Sequence, residues 1–271
     1  MAADARSIAP RAGGQRIAKL LARAGLGSRR EIERWIAAGR VALDGRPLEG
    51  PAVLVDDLAG VTVDGRPVAS PAPTRLWRYH KPRGLVVSRR DERGRPTVFD
   101  HLPPGLPRVV SVGRLDLTSE GLLLLTNDGA LARHLELPAT GWIRRYRVRA
   151  FGTADPAALG RLAAGVTIAG VAYGPIEARL ERQQGRNAWI AMALREGRNR
   201  EVRRVIEHLG LEVNRLIRLA YGPFQLGELA PGEAKAVPRR VLEDQLGPGF
   251  RAGPTAAATA RAERARHRRP A

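Results

Sequence analysis

A chain of 271 residues can bury a proper core in one large or two modest domains, and the absence of cysteine excludes disulfides, thiolate catalysis and Cys-ligated zinc together. Lysine and arginine number 46 against 27 acidic residues, a formal net charge of +19, so the partner to expect is a polyanion. No apolar run approaches the ~18 to 20 residues of a membrane span, and the N-terminal MAADARSIAP lacks a signal-peptide core; a cytoplasmic protein is expected.

His80, His101, His134, His208 and His267 are scattered without metal-ligand spacing, and no nucleotide-binding fingerprint is present, so neither a metal nor a cofactor is expected. Residues 1–13 are small and polar, the composition of a disordered segment. Residues 14–69 read as a small basic module. Ile17, Leu20, Leu21 and Ala24 fall at helical spacing, and Gly25 and Gly27 end that helix. Ser28 followed by Glu31 is a capping box opening a second helix, which buries Ile32, Trp35 and Ile36 and stops at Gly39. Two short echoes follow, VALDGRPL (Val41 to Leu48) and VTVDGRPV (Val61 to Val68), each a β-pattern closed by an Asp-Gly turn. Arg23, Arg29, Arg30 and Arg34 crowd the two helices and their junction, a face that is either simply solvated or an RNA contact.

The string from Arg16 through Lys19 and Ser28 to Glu31, RIAKLLARAGLGSRRE, resembles the S4 RNA-binding domain, and the likeness extends to about Val68. It implies a module whose helices lie along structured RNA and contact phosphates rather than bases, through Arg16, Lys19, Arg23, Ser28, Arg29, Arg30 and Arg34.

SPAPTR, residues 70–75, is the linker candidate. The larger domain is expected over 76–243. It opens with a strand in LWRYHKPRGLVVS, where Pro82 and Gly84 mark a turn and Lys81 is either a phosphate contact or merely exposed. The centre of the domain is GRLDLTSEGLLLLTNDG, Gly113 to Gly129. Its four leucines, Leu122 to Leu125, suit a strand buried on both faces, which would hold the charged turn of Arg114 and Asp116 rigidly at its end. A lone aspartate in such a turn is more often a cap than a reagent. Asp128 is expected to cap a helix from Ala130 to Leu137, stopped by Pro138.

RRYRVRAFG alternates strictly, pointing Tyr146, Val148 and Ala150 inward and Arg145, Arg147 and Arg149 outward. Taken alone, Tyr146 reads as an ordinary core tyrosine. After a helix-like PAALGRLAAGV and a hairpin-rich middle, Val202, Val205, Ile206 and Leu209 form a helical stripe with Arg203 at its edge. An inward guanidinium needs an anion, for which Asp116 is the functional candidate; otherwise Arg203 snorkels to water.

GRLD with GLLLLTNDG, RYRV, GRNREVRR and RLIRLAYG, in this order behind an S4-like module, resemble the RsuA and RluB group of ribosomal RNA pseudouridine synthases. The later strings and GRPTVFDHLP are most similar to the large-subunit pseudouridine synthase B subgroup. This likeness covers nearly all of Arg16 to Val237. It implies Asp116 as the catalytic aspartate, Arg203 as its basic partner, Tyr146 as the tyrosine of the second motif and Leu216 as the apolar residue of the last. Arg114 would fill the gap left in the RNA stack, while the neighbours Arg198, Arg200 and Arg204 leave the placement of the basic partner open. The LTSE after the aspartate is a departure from the family's pattern, at a place where subgroup members vary, and it bears on loop packing and substrate choice more than on chemistry.

The implied reaction moves uracil from an N1 to a C5 bond on ribose C1′ without redox change, after the uridine leaves its stack. Asp116 either attacks C1′ or removes a C2′ proton. The implied partner is ribosomal RNA, 23S or a large-subunit assembly intermediate, handled by a monomer. A small-subunit 16S synthase and a non-catalytic S4-type assembly factor are the rivals; a DNA-binding protein is disfavoured because no major-groove helix pattern stands out. The expected fold class is α+β, a small S4-like (αL) domain followed by a synthase domain with a mixed, largely antiparallel sheet and flanking helices. Residues 244–271 read as a disordered basic tail, either an added phosphate grip or an inert solubilising arm.

Overall fold

The computed structural model describes residues 14–246 and divides between Thr74 and Arg75 into two compact units. In the first, helices α1 (Ile17–Arg23) and α2 (Arg29–Ala37) pack Ile17, Leu21, Ile32 and Ile36 over a small sheet. Ser28 accepts from the Glu31 amide while the Glu31 carboxylate accepts from the Ser28 amide, the reciprocal cap that starts α2. Strand β1 (Gln15–Arg16) pairs with β4 (Leu54–Val55). Strands β2 (Val41–Leu43), β3 (Arg46–Pro47), β5 (Val61–Val63) and β6 (Arg66–Pro67) form a four-stranded sheet in the order β3-β2-β5-β6. Its two hairpins are the two sequence echoes. Each turns through Asp and Gly at positive φ, Asp44 and Gly45 in one and Asp64 and Gly65 in the other, as a two-residue type I′ turn requires.

The second unit is built on a nine-stranded sheet that is mixed and mostly antiparallel. Its members are β7 (Leu76–Lys81), β8 (Val110–Val112), β9 (Glu120–Thr126), β10 (Arg144–Phe151), β13 (Ile176–Gln184), β14 (Asn187–Leu194), β15 (Glu212–Tyr221), β16 (Phe224–Gln225) and β17 (Ala234–Ala236). The path runs β13-β14-β10-β15-β9-β7-β17, with β8 also on β9 and β16 on β15. A separate hairpin joins β11 (Val166–Ile168) to β12 (Val171–Tyr173).

Every residue of β9 is buried. Leu123 and Leu125 enter the larger core with Tyr79, Val148 and Leu216, while Leu122 and Leu124 enter a second core with Leu131, Leu135 and Phe224. The four leucines therefore serve both faces of the sheet, which is why the run does not alternate with polar residues. β10 alternates as expected, Tyr146, Val148 and Ala150 inward and Arg145, Arg147 and Arg149 exposed. Helix α3 (Gly129–Glu136) is capped by Asp128 through the Ala130 amide and covers the second core. Helix α4 (Pro156–Arg161) leads into a short 3-10 turn. Helix α5 (Glu201–His208) buries Val202, Val205 and Ile206 together with Arg203. Helix α6 (Arg239–Leu246) runs past the expected boundary at 243, with Leu242 buried in the second core and Leu246 packed against it. The rest of the basic tail, 247–271, and the N-terminal 1–13 lie outside the described residues. Among the described residues, no helix is long and apolar enough to cross a membrane.

Among the strands of the described residues, β15 and β9 alone pair in parallel, through Ile217 with Glu120 and Arg218 with Gly121. Gly121 has φ +102, and a Cβ there would stand 2.4 Å from the Arg218 carbonyl oxygen. No L-residue fits that approach without moving the strands. Gly121→Ala should therefore destabilise the larger domain by at least about 2 kcal/mol, read as a lowered midpoint in urea unfolding of the full chain; an unchanged midpoint would show that the strand contact is dispensable.

Candidate active site

A cavity of about 540 Å³ opens where the β8–β9 loop meets the inner faces of β10 and β15 and the start of α5. Asp116, Arg114, Tyr146 and Leu216 all line it. Asp116 is half-buried, Arg114 exposed at the rim, and Tyr146 and Leu216 buried at 9% and 4% exposure. Tyr146 and Leu216 reach the same cavity because β10 and β15 are adjacent, Tyr146 pairing with Arg218 and Val148 with Leu216.

The loop that carries Asp116 is tied down through its main chain from several sides. The Gly113 amide donates to the Glu136 carboxylate at 2.7 Å. The Gly84 amide donates to the Leu117 carbonyl at 2.8 Å, Arg203 to the Thr118 carbonyl at 3.2 Å and Lys81 to the Ser119 carbonyl at 2.8 Å. Within the loop, the Ser119 amide closes a turn on the Asp116 carbonyl, and Leu115 is buried in the larger core. Among the described residues no hydrogen bond or ion pair engages the Asp116 carboxylate. The fold holds the backbone and leaves the carboxylate oxygens of Asp116 unengaged at the cavity.

Two expectations are corrected here. Lys81 is neither a phosphate contact nor exposed: it is fully buried, with its ammonium on the Pro82 and Ser119 carbonyls. The turn after β7 folds back over the Asp116 loop and covers it. Arg203 does lie inward, at 6% exposure, yet it does not pair with Asp116; it bonds the Thr118 and Val213 carbonyls. Its terminal nitrogens are taken by main-chain carbonyls instead. Burial pushes the Arg203 guanidinium below the ordinary arginine range and Arg200 adds to this, while Asp116 and Glu207 act in the opposite sense. Asp116 thus acts on Arg203 through space, by charge alone.

Residues that the motif reading passed over complete the cavity. Arg144 and Arg218, both buried, face the same Tyr221 ring at 4.7 and 5.3 Å from its centroid. Their signal was available in the strand period: Arg144 is in phase with Tyr146, and Arg218 with Leu216. Glu201 is buried with one carboxylate oxygen on the Arg198 amide and the other unpartnered; burial pushes its carboxyl above the usual range. Arg200, at the start of α5, holds a left-handed conformation, φ 54, at the cavity wall.

In the smaller unit, Arg16, Arg29, Arg30 and Arg34 are exposed and Lys19 is half-exposed. Arg23 is half-buried and donates to Thr74, and the Ser28 hydroxyl is occupied as the helix cap.

The RNA pseudouridylate synthase family profile matches residues 75–208, and the S4 domain profile matches residues 15–57. A Rickettsia prowazekii protein described as an uncharacterized RNA pseudouridine synthase is 45% identical over 231 residues, 85% of this chain and 97% of that one. The ribosomal large subunit pseudouridine synthase B of Haemophilus influenzae is 44% identical over 223 residues, which are 80% of this chain and 62% of that one. A crystal structure of a pseudouridylate synthase shares the fold with a TM-score of 0.59 at 24% identity, over 85% of this chain and 99% of its own. The chain belongs to the RNA pseudouridylate synthase family and carries an S4 domain ahead of the synthase domain. It is an isomerase of RNA.

The buried Lys81 gives a test of how the site is held. Burial lowers its pKa from 10.5 to about 8, with Asp116 and Glu120 opposing the shift and Arg218 adding to it. The unfolded chain binds this proton more tightly, so the cost of burying the charged lysine is constant below about pH 8 and is relieved as pH rises toward 10.5. Urea unfolding at pH 7, 8.5 and 9.5 should show the wild type gaining stability relative to Lys81→Met as pH increases; parallel curves would mean that the lysine is not desolvated.

Proposed function

We propose that this enzyme isomerises one uridine of large-subunit ribosomal RNA to pseudouridine, with Asp116 as the carboxylate that acts at the sugar. The observation that carries the assignment is the Asp116 side chain itself, unengaged in a basic cavity while its backbone is anchored. The cavity volume falls within the ~300–1,000 Å³ typical of small-molecule sites, room for an everted nucleoside. The large-subunit target is supported by the name and 44% identity of the Haemophilus influenzae relative. The exposed Arg16, Arg29, Arg30 and Arg34 of the S4 domain offer charges to RNA phosphates, a grip that positions without reading bases.

The chemistry needs an everted base, an ionised carboxylate at C1′ or C2′ and a dry space in which the freed uracil turns. Eversion costs a few kcal/mol, and Arg114 at the cavity rim is placed to occupy the vacated stack. Arg203 and Lys81 fix the loop that carries Asp116 through its carbonyl oxygens and bring two positive charges to it. The Tyr146 ring provides a flat surface for uracil, and its hydroxyl, without a partner among the described residues, is free to relay a proton. Leu216 closes the apolar wall and keeps out water that would otherwise capture the intermediate.

The test is a pseudouridine map of both ribosomal RNAs from a strain lacking the gene, complemented with wild type or with Asp116→Ala. One large-subunit position should be lost, restored by the wild type and not by the variant. A lost position in the small-subunit RNA would move the target, and restoration by Asp116→Ala would remove the aspartate from the chemistry. In vitro, Asp116→Asn should reduce turnover by at least about a thousandfold while RNA affinity stays within about threefold, the signature of an interaction made only on the reaction path.

A further inference from the structure

Five arginines line the cavity, and their engagement differs. Arg114, Arg198 and Arg200 are exposed at its rim. Arg144 is buried but occupied: one terminal nitrogen donates to the Trp142 and Arg195 carbonyls and the other to the Tyr221 hydroxyl. Arg218 is 3% exposed, donates from Nε to the Leu122 carbonyl at 2.7 Å, and has a buried terminal nitrogen with no partner. No carboxylate pairs with it among the described residues, since the nearby Glu120 is taken by Arg215. Its backbone is fixed by the parallel pairing with Gly121 and its guanidinium lies over Tyr221.

A buried cation without an anion is expensive, and the cost is tolerable where an anion forms during the reaction. We propose that Arg218 is a catalytic residue that stabilises the uracil base as it departs from the ribose. The inference rests on the reading of this cavity as the uridine site. When the C1′–N1 bond breaks, its electron pair goes to the base and spreads onto N1, O2 and O4. In direct displacement an Asp116 oxygen bonds C1′ as the base leaves; in elimination Asp116 takes a C2′ proton. In both, the base carries one negative charge until C5 bonds C1′. As C5 bonds C1′ the carboxylate leaves it, or in the elimination route the proton returns to C2′; C5 then loses its proton and N1 gains one. The balance needs no co-reactant. Arg218 lines the cavity and offers the developing oxyanion a positive charge held in place by its bond to the Leu122 carbonyl.

The experiment compares wild type, Arg218→Gln and Arg218→Lys in single-turnover reactions on large-subunit rRNA transcribed with UTP or with 5-fluoro-UTP. Nucleosides are counted after digestion, as pseudouridine formed or 5-fluorouridine consumed, because fluorine blocks the last proton loss from C5. Arg218→Gln should slow the uridine reaction by ~10²–10³, the cost of one oxyanion donor. Fluorine makes the base a better leaving anion, so the loss on the fluorinated RNA should be at least about tenfold smaller. A positioning role would slow both equally, and equal losses, or none, would overturn the proposal. Should Arg218→Gln fail to fold, the same ratio is read from Arg218→Lys, which keeps the charge but displaces it. A wild type inactive on the uridine transcript would instead count against the large-subunit assignment, separately from Arg218.

Discussion

The parallel contact between β9 and β15 at Gly121 and Arg218 is the constraint from which the site follows. β9 ends the Asp116 loop, and β15 carries Leu216 and Arg218; their approach places carboxylate, apolar wall and buried guanidinium around one cavity. The approach is possible only because Gly121 has no side chain and tolerates φ +102. Leucines on both faces then secure β9 between two cores, so the loop is carried by the most deeply buried strand of the domain.

Rigidity and reactivity place opposite demands on the loop. A carboxylate fixed by its own ion pairs would be precisely placed but occupied. Here the anchoring falls on the main chain, through Gly113, Leu117, Thr118 and Ser119, and the Asp116 side chain stays open. Arg203 and Lys81 hold the loop by its carbonyl oxygens and contribute their charge to the aspartate from behind. Preorganisation of this kind places the cost of order in folding rather than in the reaction step.

The same arrangement concentrates buried charge. Lys81, Arg203 and Arg218 lie inside with carbonyl partners rather than carboxylates, and the buried Glu120 is paired with Arg215. Each desolvated cation lowers the stability of the fold and raises the potential felt by an anion in the cavity. A stability cost borne for the electrostatics of a site fits an enzyme whose proposed intermediates carry negative charge.

Much of this was legible in residue order. The capping box at Ser28 and Glu31, the Asp-Gly hairpins, the buried leucine run, the alternation of β10 and the inward phase of Arg203 follow from local chemistry and from the helix and strand periods. Lys81 misled, because a lysine beside a Pro-Gly turn looks exposed until the turn folds back onto a distant loop. The partner of Arg203 misled for a related reason: charge complementarity pointed to Asp116, whereas the fold gave it the Thr118 and Val213 carbonyls. By itself, then, the sequence determined elements, faces and the candidate reagents, since these depend on neighbours a few residues apart. Only tertiary structure decided which cation meets which oxygen. Those outcomes depend on the register of strands far apart in the chain, and on a contact as close as that of Gly121 with Arg218.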